Sequence, residues 1–326
     1  MAKGSADGVL RCSTIAVRGG NSQTPCTDLS RRIIIPPERT GGVEQAGARY
    51  LLARLACCPQ SERNLLNWKF VMYKKKDPVT RLCTSDVDNI YVRGRNLCDD
   101  LIGKMTFTDF IMFHFFGKEP TDMQRAIVDS VLVCIMEHGF TPSAIASRLT
   151  ILGAPEALQG AVAAGLLGAG SRFVGAADES AVLLKQIVDK PLAERAGEAT
   201  RIAEEFTAAK KFLPGFGHPI HTNGDPRVKR IDAVARAAGA KGEYIDAMYL
   251  LGDAIKVASG KNIVINVNAA IGAVLLEADI PPSIARGFNL IARCAGLVGH
   301  ILEEQTEPAA FHLWHMAEEA VPYEAP

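Results

Sequence analysis

The sequence predicts a mainly α-helical protein, and three observations carry that prediction. From about Ile102 onward, apolar residues recur at helical spacing inside segments that bring their own start and stop signals. Short apolar strands do not alternate with helices, as they would in βαβ units. Neither an internal repeat nor a sustained heptad is present, which leaves a globular assembly of separate helices rather than a solenoid or a coiled coil.

Taken in order, the first eighty or so residues are poor in helical periodicity. They carry turn-prone clusters such as Gly19-Gly20-Asn21-Ser22 and Gly41-Gly42, with Ile33-Ile34-Ile35 as at best a short strand, so an ill-defined extension is expected. Lys74-Lys75-Lys76 reads as a solvated loop, because no glycine-rich backbone donors surround it. Thr106 followed by Asp109 is a capping signal for a helix over Phe107, Phe110, Ile111 and Phe115, stopped by Gly117. Thr121 with Gln124 opens the next, whose apolar positions Ile127, Val128, Val131, Leu132 and Ile135 run to a close at Glu137-His138-Gly139. Pro142 and Pro155 are expected to start two more, the second rich in alanine and glycine from Gly160 to Gly170. Further helices are expected over Glu179 to Lys190, Leu192 to Phe212, Pro226 to Ala238, Glu243 to Ala258, Ala269 to Glu277 and Ser283 to Glu304. The C-terminal tail reads as polar.

Composition narrows the function. Lysine plus arginine equals aspartate plus glutamate at 36 each, so no overall basic field draws the chain to nucleic acid or to an anionic membrane. No apolar run reaches membrane-spanning length. The 8 cysteines lack the paired short spacings of a zinc site or a small secreted scaffold, and adjacent Cys57 and Cys58 would form only a strained disulfide. Free thiols in a reducing, cytoplasmic compartment are expected, with Lys3, Arg11 and Arg18 leaving organelle targeting open.

The most informative stretch is Leu213 to Arg227. It sets His218 in a frame of Gly215, Gly217, Pro214 and Pro219, and Asp225-Pro226 is a strong helix start. Such a loop has no structural need for an imidazole, so His218 reads as functional. His138 at a helix end is either a ligand-binding imidazole or a residue that favours the helix dipole. Asn266 and Asn268 precede a helix and, taken alone, read as caps. Arg227 sits in a first helical turn, where a positive charge is unfavourable unless an anion lies nearby. Arg293, among Ile291, Ala292, Cys294 and Ala295, is expected to be partly buried with either a ligand anion or an intraprotein ion pair. His312 and His315 have helical metal-ligand spacing but no evident third ligand.

A series of motifs then falls in a fixed order: Val92-Arg93-Gly94, Phe116-Gly117-Lys118-Glu119-Pro120, Glu137-His138-Gly139, Gly170-Ser171-Arg172-Phe173-Val174-Gly175, Gly215-Phe216-Gly217-His218, Asp225-Pro226-Arg227, Asn266-Val267-Asn268 and Ala292-Arg293. Over about residues 84 to 305 the chain resembles the citrate synthase superfamily, most closely its citryl-CoA lyase branch, the module at the C-terminus of ATP-citrate lyase. The resemblance implies an all-α homodimer. Its large domain would comprise residues 84–175 and 279–326, its small domain 176–278, with 1–83 as the extension. It implies chemistry on a CoA thioester and a di- or tricarboxylate as substrates, without a tightly bound cofactor or a metal. His218 is then the acid/base at the keto or hydroxyl oxygen, while His138, Arg227 and Arg293 contact citrate. Leu213, Pro214, Gly215, Phe216 and Gly217 lie against CoA.

The chain also departs from that pattern. Phe173 stands where citrate synthases carry a second histidine, and its Phe-Val-Gly-Ala-Ala-Asp run resembles the lyase branch. Asn268 stands where both branches carry the carboxylate that exchanges the acetyl-CoA proton, and an amide is no general base near neutral pH. Pro219 and Ile220 replace the usual Arg-Val or Ala-Val pair, and no arginine near Leu313 matches the one supplied across the dimer. The expected function is a citryl-CoA lyase-like carbon–carbon lyase or synthase. The alternatives are a citrate synthase and a catalytically impaired paralogue that keeps the ligand pocket.

Overall fold

The computed structural model describes residues 78–170 and 175–326. The expectations for Gly19 to Lys76, for Cys57 and Cys58 and for Phe173 lie outside the described residues. The first elements form a small antiparallel sheet that periodicity did not announce: β1 (Cys83–Ser85), β2 (Ile90–Val92) and β3 (Arg95–Asn96), with Thr84 opposite Tyr91 and Tyr91 opposite Asn96. The two-residue loop between β2 and β3 places both Arg93 (φ 52°) and Gly94 (φ 83°) in the left-handed region, the turn whose twist suits a hairpin. Arg93 tolerates that conformation because its guanidinium donates to the carbonyls of His114 (3.0 and 2.8 Å) and Phe115 (2.9 Å), closing the C-terminus of the helix that follows.

That helix is α1 (Phe107–Phe116), with Thr106 Oγ1 accepting from the Asp109 amide and Gly117 as a left-handed C-cap. In α2 (Asp122–Met136) the full capping box of Thr121 and Gln124 is present. Helix α3 (Pro142–Gly153) begins at its proline as expected. Helix α4 (Leu158–Leu167) does not: Pro155 and Glu156 are the central residues of a turn closed by the Ala157 amide on the Ala154 carbonyl, and the helix starts three residues later than Pro155 suggested. Helix α5 spans Ala176–Val188, starting ahead of the expected Glu179. The segment from Leu192 opens with a 3₁₀ turn, and α6 (Arg195–Ala208) stops short of Phe212 because Lys210 turns left-handed (φ 52°) while the Lys211 amide returns to the Phe206 carbonyl.

Helices α7 (Pro226–Ala237), α8 (Glu243–Ser259) and α10 (Pro282–Thr306) match expectation to within two residues. Helix α9 (Val267–Glu277) begins two residues early, since Asn266 is its N-cap. A last helix, α11 (Ala310–Ala320), replaces the expected polar tail.

The core organises around α9, whose residues from Val267 to Leu276 are all buried. It packs against α5, α7 and α8, while the long α10 lies along α2, α3, α4 and α5. Ile127, Val128, Leu184, Ile202, Ile245, Leu251, Ile271 and Phe288 are fully enclosed in the main cluster, so burial rather than intrinsic propensity holds these helices. Where α10 crosses the end of α2, a Cβ at Gly296 would run into the Met136 carbonyl, which fixes how closely the two backbones approach. Cys83, Cys98, Cys134 and Cys294 are free.

Candidate active site

The Leu213-to-Gly217 turn is tied to the segment before α9. The Gly217 amide donates to the Val264 carbonyl (2.7 Å), the Asn266 amide donates to the Gly215 carbonyl (3.0 Å), and Phe216 pairs antiparallel with Ile265. Asn266 Nδ2 adds a bond to the Gly217 carbonyl at 2.7 Å. Gly215 is required here twice over, by its φ of +86° and because a Cβ would sit 2.8 Å from both Ala269 Cβ and Ser180 Oγ. Leu213 and Phe216 point into the core. The outward parts of this turn are therefore Pro214 and the backbone around Gly217.

His218 leaves the turn with its ring orientation fixed by its own loop. Its Nδ1 accepts from the amides of Ile220 (3.1 Å) and His221 (2.9 Å), so the neutral ring carries its hydrogen on Nε2 and presents a donor. Burial pushes its pKa below the ordinary imidazole value, and the neighbouring His221 ring adds to that.

Asp225 and Arg227 form a second fixed unit. Asp225, with a fully buried side chain, accepts from Arg227 Nε (2.9 Å) and Nη2 (2.8 Å) and from the amides of Arg227 (3.1 Å) and Val267 (3.0 Å). Burial alone would raise its pKa, but the Arg227 guanidinium and these amides outweigh it and hold the carboxyl below the usual range. The anion that Arg227 needs is thus first of all its own cap residue.

His138 follows α2 on a wall built from side chains. Glu137 Oε1 accepts from the amides of His138 and Gly139, both at 2.7 Å, and lies 3.0 Å from His300 Nε2. His300 Nδ1 accepts from Arg148 Nε at 3.0 Å. A guanidinium only donates, so a neutral His300 must carry its hydrogen on Nε2 and donate it to Glu137. Arg148, 1% exposed, also donates to Glu304 (2.6 Å) and to Glu303. Glu304 in turn accepts from the amides of Ala309 (2.9 Å) and Ala310 (2.8 Å). Burial opposes ionisation of Glu137, yet these bonds hold its pKa below the usual carboxylate range. His138 itself is pushed down, by burial first and then by the Arg227 charge.

The two histidines expected to act together do meet: the rings of His138 and His218 lie 5.7 Å apart. Arg293 is buried at 3% exposure, and among the described residues its Nε and Nη1 have no hydrogen-bond partner. Burial pushes its pKa down, opposed by the charge of Glu137. Asn268, the second residue of α9, is buried with its amide on Asn266 Oδ1 (2.9 Å) and its own Oδ1 unpartnered. Buried polar atoms left unmatched are costly. His312 and His315 lie exposed on α11, away from this arrangement. Sequence reasoning did not single out His221, His300, Arg148 or the ionic role of Asp225; for His221 the available signal was its place three residues after His218.

A mainly helical scaffold that brings imidazoles together near a buried guanidinium with two unpartnered nitrogens suits a carboxylate-bearing ligand. The chain belongs to the citrate synthase family: the family model for the citrate synthase C-terminal domain matches residues 81–312. A solved structure of citryl-CoA lyase from Hydrogenobacter thermophilus is 30% identical with a TM-score of 0.67, covering 77% of this chain and 96% of that one. ATP citrate lyase from Methanothrix soehngenii, solved in complex with citrate and coenzyme A, shares the fold at 20% identity and a TM-score of 0.64, covering 93% of this chain and 47% of that one. Among curated proteins, ATP-citrate synthase beta chain protein 2 of Arabidopsis thaliana is 27% identical over 217 residues, covering 59% of this chain and 34% of its own length. The probable ATP-citrate synthase of Dictyostelium discoideum is 22% identical over 243 residues, 70% of this chain and 38% of that protein. The chain spans little more than a third of the length of these curated relatives.

Proposed function

We propose that this chain is an acyl-CoA carbon–carbon lyase of the citryl-CoA lyase type, cleaving citryl-CoA to acetyl-CoA and oxaloacetate or running the reverse condensation. The observation that carries this reading is Arg293, a buried guanidinium with unpartnered Nε and Nη1 in a family that includes a citryl-CoA lyase. Arg293, His138 and Arg227 hold the carboxylates. His218 donates from Nε2 to the oxygen that is a ketone in oxaloacetate and a hydroxyl in citryl-CoA, stabilising the charge that gathers there. The exposed edge of the Leu213-to-Gly217 turn faces CoA. Residues 176–278 act as a smaller domain that closes on a larger one formed by 84–175 and 279–326, and two copies make the working dimer.

The weak point of this chemistry is Asn268. Its Nδ2 can donate to a thioester enolate oxygen, but an amide exchanges no proton with the acetyl carbon. That observation favours a second reading, a paralogue that binds both substrates and turns them over poorly. One substitution separates the two. In the disarmed site, Asn268→Asp raises citryl-CoA cleavage by about two to four orders of magnitude, the usual worth of a positioned general base. The gain is read as oxaloacetate formed from citryl-CoA, and no gain would mean that wild type relies on a different proton carrier. Calorimetry in which neither CoA thioesters nor di- and tricarboxylates bind would sink both readings.

A further inference from the structure

His221 has no part in the reading above, yet it completes a cluster. Its ring lies 4.5 Å from that of His218 and 5.5 Å from that of His138, and one ring nitrogen from each of the three falls within 4.8 Å of the others. Its amide is spent on His218 Nδ1, while its ring nitrogens have no hydrogen-bond partner among the described residues. We propose that His221 is a third substrate-contacting imidazole, and that through it the pocket takes up a proton when it binds a di- or tricarboxylate. This rests on the carboxylate-binding reading of the site.

Charge counting supports it. The charged groups acting on His138 and His218 are Asp225 and Arg227 from the start of α7; Glu137 at the end of α2 precedes His138, and Arg293 of α10 feels the charges of Glu137 and Arg227. Asp225 neutralises Arg227, and Glu137 is engaged by two amides and His300. Hydrogen bonds from neutral groups leave Glu137 its negative charge, which acts on Arg293, so these four side chains sum to zero and cannot by themselves balance two or three carboxylates. An imidazolium supplies positive charge at little cost, because imidazole is the side chain that gains a proton near neutrality. Three rings this close repel one another when charged, so about one proton enters rather than three. Burial first, with the neighbouring positive charges, holds His138 and His218 below the ordinary imidazole value, so the charge of a bound carboxylate is what would favour a proton here.

Three histidines also suggest a transition-metal ion, but the hydrogen bonds argue against it. A metal on His218 Nε2 would force the hydrogen onto Nδ1, which faces the amides of Ile220 and His221. Two donors would then oppose a third.

The test is calorimetry of oxaloacetate binding in buffers of different ionisation enthalpy, with wild type, His221→Gln and His221→Arg. Wild type takes up about one proton, and its affinity falls by up to about tenfold per unit from about pH 7 to about pH 8. His221→Gln binds about tenfold more weakly near neutrality and takes up almost no proton, whereas His221→Arg keeps the affinity and loses the uptake. Unchanged uptake and affinity in His221→Gln would overturn the proposal while leaving the proposed function intact. Absence of any oxaloacetate binding by wild type would overturn the proposal, and the proposed function falls with it only when citrate and CoA thioesters fail to bind as well. A Zn²⁺ titration with one tight site that His221→Gln abolishes, alongside unchanged oxaloacetate proton uptake, would assign the trio to a metal instead.

Discussion

The turn from Leu213 to Gly217 is tied by backbone hydrogen bonds to Val264 and Asn266, with one added from Asn266 Nδ2, whereas the end of α2 is held by a chain of side chains running from Arg148 through His300 to Glu137. Both present a histidine to the same space. Backbone bonds depend little on side-chain identity, so the loop demands glycine at a few positions and tolerates change elsewhere. The other wall depends on a few specific groups, and losing Arg148 strands the buried His300 and Glu304. The first wall therefore presents chemistry on a geometry set by the main chain. The second ties His138 to the packing of α10.

The largest expected effect tests the chemical side. His218→Gln lowers turnover by about two to four orders of magnitude, read as oxaloacetate formed from citryl-CoA in wild type and in the Asn268→Asp background. A loss of less than about tenfold in both backgrounds would deny His218 its role. The next tests the supporting wall. Arg148→Met leaves His300 and Glu304 buried without their partner and costs about 3–5 kcal/mol in urea unfolding, while Asn266→Ala, which removes the α9 cap and the bond to the Gly217 carbonyl, costs only about 1–2 kcal/mol. Equal costs would erase the contrast between the walls.

A smaller effect separates the two arginines. Arg293→Gln raises the Michaelis constant for the carboxylate substrate by about tenfold to a hundredfold with little change in stability, since its lost atoms had no partner to strand. Arg227→Gln does the reverse in stability, leaving Asp225 buried without its cation. The smallest effect is in acid. The folded pKa of Asp225 lies below its ordinary value of 3.8, so its stabilising share is complete above that pH and is lost as pH falls through the folded value. The stability of Asp225→Asn, lower at neutrality, should depend less on pH below about pH 4 than that of wild type.

What the sequence made legible follows the same divide. Thr106, Thr121, Pro142 and Asp225 mark helix starts because capping is a contact between residues two or three apart, and the Gly215–Gly217 frame shows itself because positive φ leaves few other residues to choose. The sheet went unseen, since strands of two or three residues are too short for a period of two to register. Helix α11 was hidden by its exposed, mixed composition. Arg148 and His300 each look like an ordinary polar position on an amphipathic helix. Their meaning lies in a partner 152 residues away, and the link from His300 to Glu137 spans 163. Side-chain pairings over such separations leave no local trace.

Helix α10 carries Arg293, Gly296 and His300 on one face, at positions i, i+3 and i+7. An α-helix advances by about 100° per residue, so inserting or deleting one residue between Arg293 and His300 would rotate the guanidinium and the imidazole away from each other's face. The contact of Gly296 with the Met136 carbonyl would be lost in the same step. An insertion is therefore expected to be tolerated in a connection such as residues 155–157 and to disrupt the site when placed between Arg293 and His300.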